Sequence, residues 1–383
     1  MMYNKNKPWI ILFSATLAVM GGAMISPVLN LMRDGLSVDP ASVGLIVTTH
    51  GLFIAIFSPL MGSLIDKIGP KKPYAFGLIL YGLGGGSGLI IESFWVLLIS
   101  RAILGIGVAA FFNAITVLIL NMYDGEERNK VMGWRGSANS LGGIVYPLIG
   151  GFLGSFSWHH PFALYLIGIP LGIIALIAVP EIYIEKAPKE VKETTVLKVF
   201  RRRPILLAIY GFMFMSHVFL YVLIIFLPQH LEKIDISNPF HISLFITAMT
   251  ISAALTSFRY HRIRSKLSYK MIFLLTLALW AIGFAAISKF SVIILMLLSL
   301  ALLGIGFGMV FPTIPLLIGE IVPISFRGRF SSYIGTAFFI GQFLSPIIFA
   351  PVLVLLGLKG VFLVAAGFCA LVFVAINIID RIK

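Results

Sequence analysis

The chain has 383 residues, 59% of them hydrophobic and only 11% charged, against about a quarter charged in a typical soluble domain. So much apolar surface excludes an ordinary soluble globule and intrinsic disorder alike, and a single cysteine, Cys369, excludes a disulfide framework and any cysteine-built zinc site. A net charge of +14 would suit a nucleic-acid binder, but the positions of the charges argue against one.

In chain order, apolar blocks lie at about 9–31, 41–64, 74–92, 94–122, 131–154, 160–180, 204–228, 239–258, 269–287, 290–318, 328–350 and 357–379. Each is about 20 residues or longer, enough for an α-helix to cross about 30 Å of hydrocarbon. The first block is too long for a signal-peptide core, lacks a small-residue cleavage site and is followed by eleven more, so it reads as a crossing. The pattern predicts an all-α integral membrane protein with twelve transmembrane helices. The longest non-apolar stretch, 181–203, alternates in sign from Glu181 to Glu193 and ends on Arg201-Arg202-Arg203. It reads as a cytoplasmic linker between an N-terminal six-helix bundle, 1–180, and a C-terminal one, 204–383.

Lysine and arginine set the expected orientation. With the N-terminus inside, 24 of them fall in inner segments and 4 in outer ones, with Arg101 left within a span. Such asymmetry predicts both termini in the cytoplasm. It also accounts for the basic balance through the anionic inner leaflet rather than through nucleic acid.

The two halves repeat. A shift of 199 lays Leu104-Gly105-Ile106-Gly107 on Leu303-Gly304-Ile305-Gly306, Lys67 on Lys266, Lys71 on Lys270, Arg128 on Arg327, Lys130 on Arg329, Phe112 on Phe311, Gly142 on Gly341 and Pro147 on Pro346. A repeat of six spans keeps its membrane orientation, so the bundles are expected to be parallel and to enclose a mid-membrane cavity that rocking opens to alternate sides. Gly82, Gly84, Gly86 and Gly88, and later Gly304 and Gly308, are spaced for close helix packing in lipid. The Gly84-Gly85-Gly86 run lies within a span with no Lys-Ser/Thr after it, and is no phosphate loop.

Three motifs stand out. The loop after the second span reads Gly62-Ser63-Leu64-Ile65-Asp66-Lys67-Ile68-Gly69-Pro70-Lys71-Lys72. Its glycines allow a tight reversal, and Asp66 can accept from a helix N-terminus or from a cation such as Arg128. The fourth span carries Arg101 three residues before Leu104-Gly105-Ile106-Gly107, about seven residues or roughly 10 Å from its outer end. A cation there costs several kcal/mol unless paired or hydrated, and is functional by default. The fifth span carries Gly133, Gly142, Tyr146-Pro147 and Gly150-Gly151, where the proline breaks the hydrogen-bond ladder and the glycines allow close contact. Tyr146 either narrows that contact or points into the cavity.

Together these motifs resemble those of the major facilitator superfamily, most closely its twelve-helix drug:proton antiporter branch. The first resembles the signature loop Gly-x-Leu-x-Asp-Arg-x-Gly-Arg-Lys, with Lys67 and Pro70 as departures; the second resembles Arg-x-x-x-Gly-x-Gly; the third resembles the antiporter motif Gly-x8-Gly-x3-Gly-Pro-x2-Gly-Gly, with Tyr146 in place of a glycine. The resemblance implies a conformational latch at Gly62, Asp66, Gly69, Lys71 and Arg128, a coupling role for Arg101, Gly105 and Gly107, and export through the fifth-span motif.

The chemistry inside the spans is sparse. No Asp or Glu lies deep in any apolar block, so His50 and His217 are the titratable candidates for proton exchange. Polar or aromatic groups within spans nominate Asn113, Tyr146, His217, Tyr221, Phe311 and Gln342 for the substrate cavity. One deep arginine without a buried carboxylate favours neutral amphiphiles or organic anions over strict organic cations. The sequence therefore predicts a secondary transporter working by alternating access, exporting small amphipathic molecules in exchange for protons. Its expected partners are a small-molecule substrate, protons and the lipid bilayer. It is expected to be a monomer in the cell membrane, with no cofactor and no enzymatic activity. The alternatives are an importer or facilitator of a sugar or organic anion on the same fold, and a membrane sensor, for which no large soluble output domain is present.

Overall fold

A computed structural model of the protein describes residues 9–182, 193–322 and 327–382. The described chain is helical throughout, as a segment in lipid must be if its backbone groups are to be satisfied internally. The N-terminal lysines, most of the linker and the side chains of Arg327 and Arg329 lie outside the described residues. The helices are α1 Trp9–Ala23, α2 Leu29–Gly35, α3 Leu45–Ile68, α4 Lys71–Gly86, α5 Phe94–Met122, α6 Gly125–Gly154, α7 Gly168–Ala178, α8 Glu193–Arg202, α9 Ile205–Glu232, α10 Pro239–Phe258, α11 Tyr260–Arg264, α12 Tyr269–Lys289, α13 Ile293–Ile321 and α14 Arg327–Ile382.

Among the described residues nine helical segments are long and apolar enough to cross a membrane. The twelve expected crossings count α4, α6 and the two arms of α14 separately. α4 has only 16 residues and continues as a short 3-10 turn, Ser87–Leu89, and α6 carries Glu126, Glu127, Arg128 and Arg135 in its first half. α14 runs 56 residues with its helical geometry broken at Gly357, whose φ of +68° a side chain would strain. The first apolar block is likewise split, because Pro27 turns α1 into α2 through the 3-10 turn Ser26–Val28.

The chain divides into two compact units, Met1–Lys189 with Ser237–Ser243, and Glu190–Ile236 with Leu244–Lys383. In the first unit α5 is central: α3 and α4 both pack on it, α7 packs on α4, and α1 packs on α6. In the second, α14 packs on α9 and α12, and α12 on α13.

Glycines set these contacts. A Cβ at Gly77 or Gly107 would strike the facing backbone of α5 or α4, and one at Gly105 would strike the carbonyl of His50 in α3. Gly82, Gly85, Gly86 and Gly88 turn the other way, against Ile169, Tyr165, Leu166 and Phe162. The glycine-rich third block thus packs on two neighbours at once.

The repeat read from sequence reappears as geometry. α5 and α13 have the same length, 29 residues, and their ends differ by the same 199. Gly105 faces the backbone of His50, and Gly304 that of Met249; Gly107 faces Tyr81, and Gly306 faces Trp280; Gly84 faces Ser100 and Leu104, and Gly283 faces Ser299 and Leu303. Every one of these pairs is related by the same shift.

Candidate functional site

Arg101 lies on the second turn of α5 and is fully buried. Its Nη2 donates to the carbonyls of Gly85, 3.0 Å, and Gly84, 3.4 Å, on α4. Those carbonyls come within reach because Gly84 lets α4 close on α5, with Ser100 Oγ donating to the Gly84 carbonyl at 2.8 Å. The guanidinium also faces the rings of Phe162 and Tyr165 at 4.9 and 5.1 Å. Nε and Nη1 are buried with no hydrogen-bond partner, and no carboxylate belongs to the buried polar set among the described residues. A charged group held by carbonyl dipoles, a neighbouring hydroxyl and aromatic faces, with no carboxylate beside it, is a strong local source of positive field. His50 is buried in the same unit, its backbone against Gly105 and its ring against Gly21 of α1.

The fifth-span motif joins α6 to α1. Gly150 sits against the carbonyl of Met24, and Gly142 is flanked by Thr16 and the Tyr146 ring. The Tyr146 hydroxyl lies 2.6 Å from Thr16 Oγ1, and the ring is nearly buried. Of the two orientations expected for Tyr146, the structure has the one that narrows the contact: the ring fills the space its neighbouring glycine leaves and fastens α6 to α1. Pro147 removes one helical N–H at the same level. Gly133, by contrast, faces open space. Gly151 meets Pro239 and Ser243 of the segment that belongs to the same unit.

At the loop after α3, Gly69 takes a φ of +80° with the Ile182 carbonyl where a Cβ would stand, which accounts for a glycine there. Asp66 is exposed on the last turn of α3, Gly62 faces open space, and Lys71 opens α4. The expected pairing of Asp66 with Arg128 is not made. Arg128 is committed within its own helix end, Nη2 to Asp124 at 2.9 Å and Nε to the Tyr123 carbonyl at 2.8 Å. The acid three residues before Glu127 is the nearer partner at the start of α6, and it takes the cation.

The cavity candidates fall in both units. Asn113 donates to the Ser58 and Ala109 carbonyls, tying α5 to α3. His217 is fully buried on α9, its Nδ1 3.1 Å from the Met213 carbonyl and its ring between Phe311 and Phe338, at 5.4 and 3.7 Å. A carbonyl only accepts, so Nδ1 carries the proton in that bond, and the buried Nε2, which has no hydrogen-bond partner, is a bare acceptor. The structure therefore brings His217 and Phe311 together; Tyr221 lies one turn further along α9, and Gln342 on α14 follows Gly341, which packs on Phe214 and His217.

Arg135, one of the 24 cations that the sequence places in inner segments, lies within α6 at 7% exposure. It donates to Thr116 Oγ1 at 2.7 Å and to the Phe112 carbonyl at 3.3 Å, over the Phe112 ring at 4.4 Å. The available signal was its place four residues inside the 131–154 block. The aromatic cradle of Arg101, Phe162 and Tyr165, lies 61 and 64 residues further along the chain, and nothing in the sequence ties it to the arginine.

The sequence matches the Major Facilitator Superfamily over residues 11–264 and 213–380. Among curated relatives it is 31% identical over 169 residues to the quinolone resistance protein NorA of Staphylococcus aureus, 44% of this chain and 43% of that one. It is likewise 31% identical over 181 residues to an uncharacterized MFS-type transporter, YfiU, of Bacillus subtilis, 45% of this chain and 34% of that one. The chain thus spans less than half the length of the curated relatives it matches. Solved structures share the fold at low identity: the nucleoside transporter NupG (TM-score 0.76, 16% identity, 98% of each chain) and a bacterial homolog of the human lysosomal transporter Spinster (0.78, 14%, 99% and 97%). The family match runs almost from end to end over a helical chain whose halves repeat, and the protein belongs to the Major Facilitator Superfamily of transporters.

Proposed function

We propose that the protein is a secondary transporter of the drug:proton antiporter branch, working by alternating access between two parallel six-helix bundles, and that it exports small amphipathic molecules from the cytoplasm in exchange for protons. The observation that carries this reading is the fifth-span motif, Gly133 to Gly151, whose Gly142 and Tyr146 sit on α1 and whose Gly150 sits on Met24 just past its end. The partial likeness to a protein named for quinolone resistance supports the same direction.

Roles follow from the chemistry. Arg101 supplies a buried positive field that disfavours a second cation on His50 in the same unit and so couples proton occupancy there to conformation. The bare Nε2 of His217 is the proton acceptor of the second unit, and the aromatic wall of Phe311 and Phe338 contacts the apolar part of the substrate. Tyr221, Gln342 and Asn113 supply hydrogen bonds. Asp66 and Lys71 belong to the latch at the cytoplasmic face, with Arg128 holding the start of α6. The chain crosses the cell membrane twelve times as a monomer, with both termini inside.

The test uses everted membrane vesicles and a fluorescent quinolone. An exporter accumulates it when the vesicle interior is acidified. Accumulation only in right-side-out vesicles would establish an importer instead.

A further inference from the structure

The second unit contains a groove of about 940 Å³ that none of the transport roles above uses. Its walls come from α9, α12, the end of α13 and both arms of α14, and apart from its mouth they are apolar. Phe212, Phe273 and Phe368 form its sides, and Phe368 is half-exposed. Along α9 it extends from Ile205 to Phe219, and along α14 from Val364 to Ile376, about 20 Å at 1.5 Å per residue. One leaflet of hydrocarbon is about 15 Å deep. The groove is therefore a slot as long as one acyl chain, with Ile348 and Phe368 of its lining half-exposed.

Only the basic end of the slot is polar. Ile205 begins α9, Lys270 lies at the start of α12, and Leu317 and Ile321 end α13, so these residues share one end. Lys270 lines the mouth there beside Tyr269, whose hydroxyl donates to Glu320 at 2.6 Å and whose ring carries Arg264 at 3.9 Å. Among the described residues this end holds two cations, Arg264 and Lys270, and one carboxylate, Glu320. Gly211 lines the slot and meets nothing within 4 Å of where a Cβ would stand, so the space beside it is open.

We propose that this slot is a specific site for an anionic phospholipid from the leaflet at the basic end, one acyl chain lying along α9 past Gly211 and the phosphate resting on Lys270. Basic pockets between membrane helices select anionic headgroups in this way. An ordinary annular lipid would need neither the concavity nor the cation.

The test places the full-length protein in vesicles containing phosphatidylglycerol or phosphatidylcholine with a photoreactive acyl chain and maps the labelled peptides. Phosphatidylglycerol is expected to label the peptides around Gly211 and Phe368 about five-fold more than phosphatidylcholine, the worth of one lysine at an anionic surface. Lys270→Gln should bring the two lipids level. Gly211→Leu, which fills the slot without touching backbone, should remove labelling there while leaving that of the exposed face of α7 at Ile173 and Ile177 unchanged. Equal labelling by both lipids in the wild type, or unchanged labelling in Gly211→Leu, would overturn the site and leave only annular lipid. Lys270→Gln alters a partly exposed residue at a helix start, so it decides the question even where the glycine variant does not fold.

Discussion

The most informative comparison is between α5 and α13, two helices of equal length with the same glycine contacts at the same register. Arg101 of the first corresponds to Leu300 of the second, and both are fully buried. One scaffold accepts a cation in one copy and a hydrocarbon in the other, so helix packing does not require the arginine. What differs is the sixth block: the Phe162 and Tyr165 rings that face Arg101 correspond, at the same shift, to Val361 and Val364. The shared contacts hold the fold, and the unshared residue is the place to look for function.

The largest effect is expected from making the halves alike. Arg101→Leu should lower transport by up to about 150-fold, the upper range for a coupling free energy, with expression and thermal stability retained because a buried cation is exchanged for a residue the scaffold already accepts. Wild-type flux in that variant would remove the arginine's role. Asp66→Asn should also abolish most flux at unchanged expression, whereas Ser265→Asp, its counterpart in the second half, should leave flux intact; equal effects would deny the latch its asymmetry.

Next come the contacts the halves share. Gly105→Leu and Gly304→Leu each drive a side chain into a facing carbonyl, and each should lower stability by about 1–3 kcal/mol or more in detergent unfolding. A tolerant site in one half alone would break the equivalence. Tyr146→Phe removes the bond to Thr16 and should cost about 1 kcal/mol.

The smallest effect is a pH difference between two helix-entry caps. Asp39 Oδ1 accepts from the backbone of Ala41 and Ser42, and Asn238, at the shifted position, accepts from Phe240 and His241. A hydrogen bond from the Ser42 side chain, helped by those backbone bonds, holds the Asp39 carboxyl below its ordinary range. A lowered folded pKa stabilises fully above the unfolded value of about 4 and is lost as pH falls through the folded one. The small loss of thermal stability in Asp39→Ala should therefore vanish in acid, while that of Asn238→Ala should not change with pH.

The repeat, the helices and the glycine contacts were legible because a membrane forces long apolar blocks and because close approach leaves only glycine as a choice. Gly105 and Gly304 could be matched before any coordinate was known. Partners across the fold were not legible. The preference of Arg128 for Asp124 over Asp66 depends on where the end of α5 leads into α6, and the cradle of Arg101 on which face of the sixth block meets α4. The partners of Arg135, Thr116 and Phe112 on α5, were illegible for the same reason.

Flux of a quinolone in proteoliposomes under an imposed pH step, with and without a protonophore, tests proton-driven movement through this scaffold most directly. The account predicts efflux that quickens with an inward proton gradient, falls to the passive rate when the protonophore collapses it, and is lowered by up to about 150-fold in Arg101→Leu. Quinolone flux that is undiminished after the gradient is gone would contradict it.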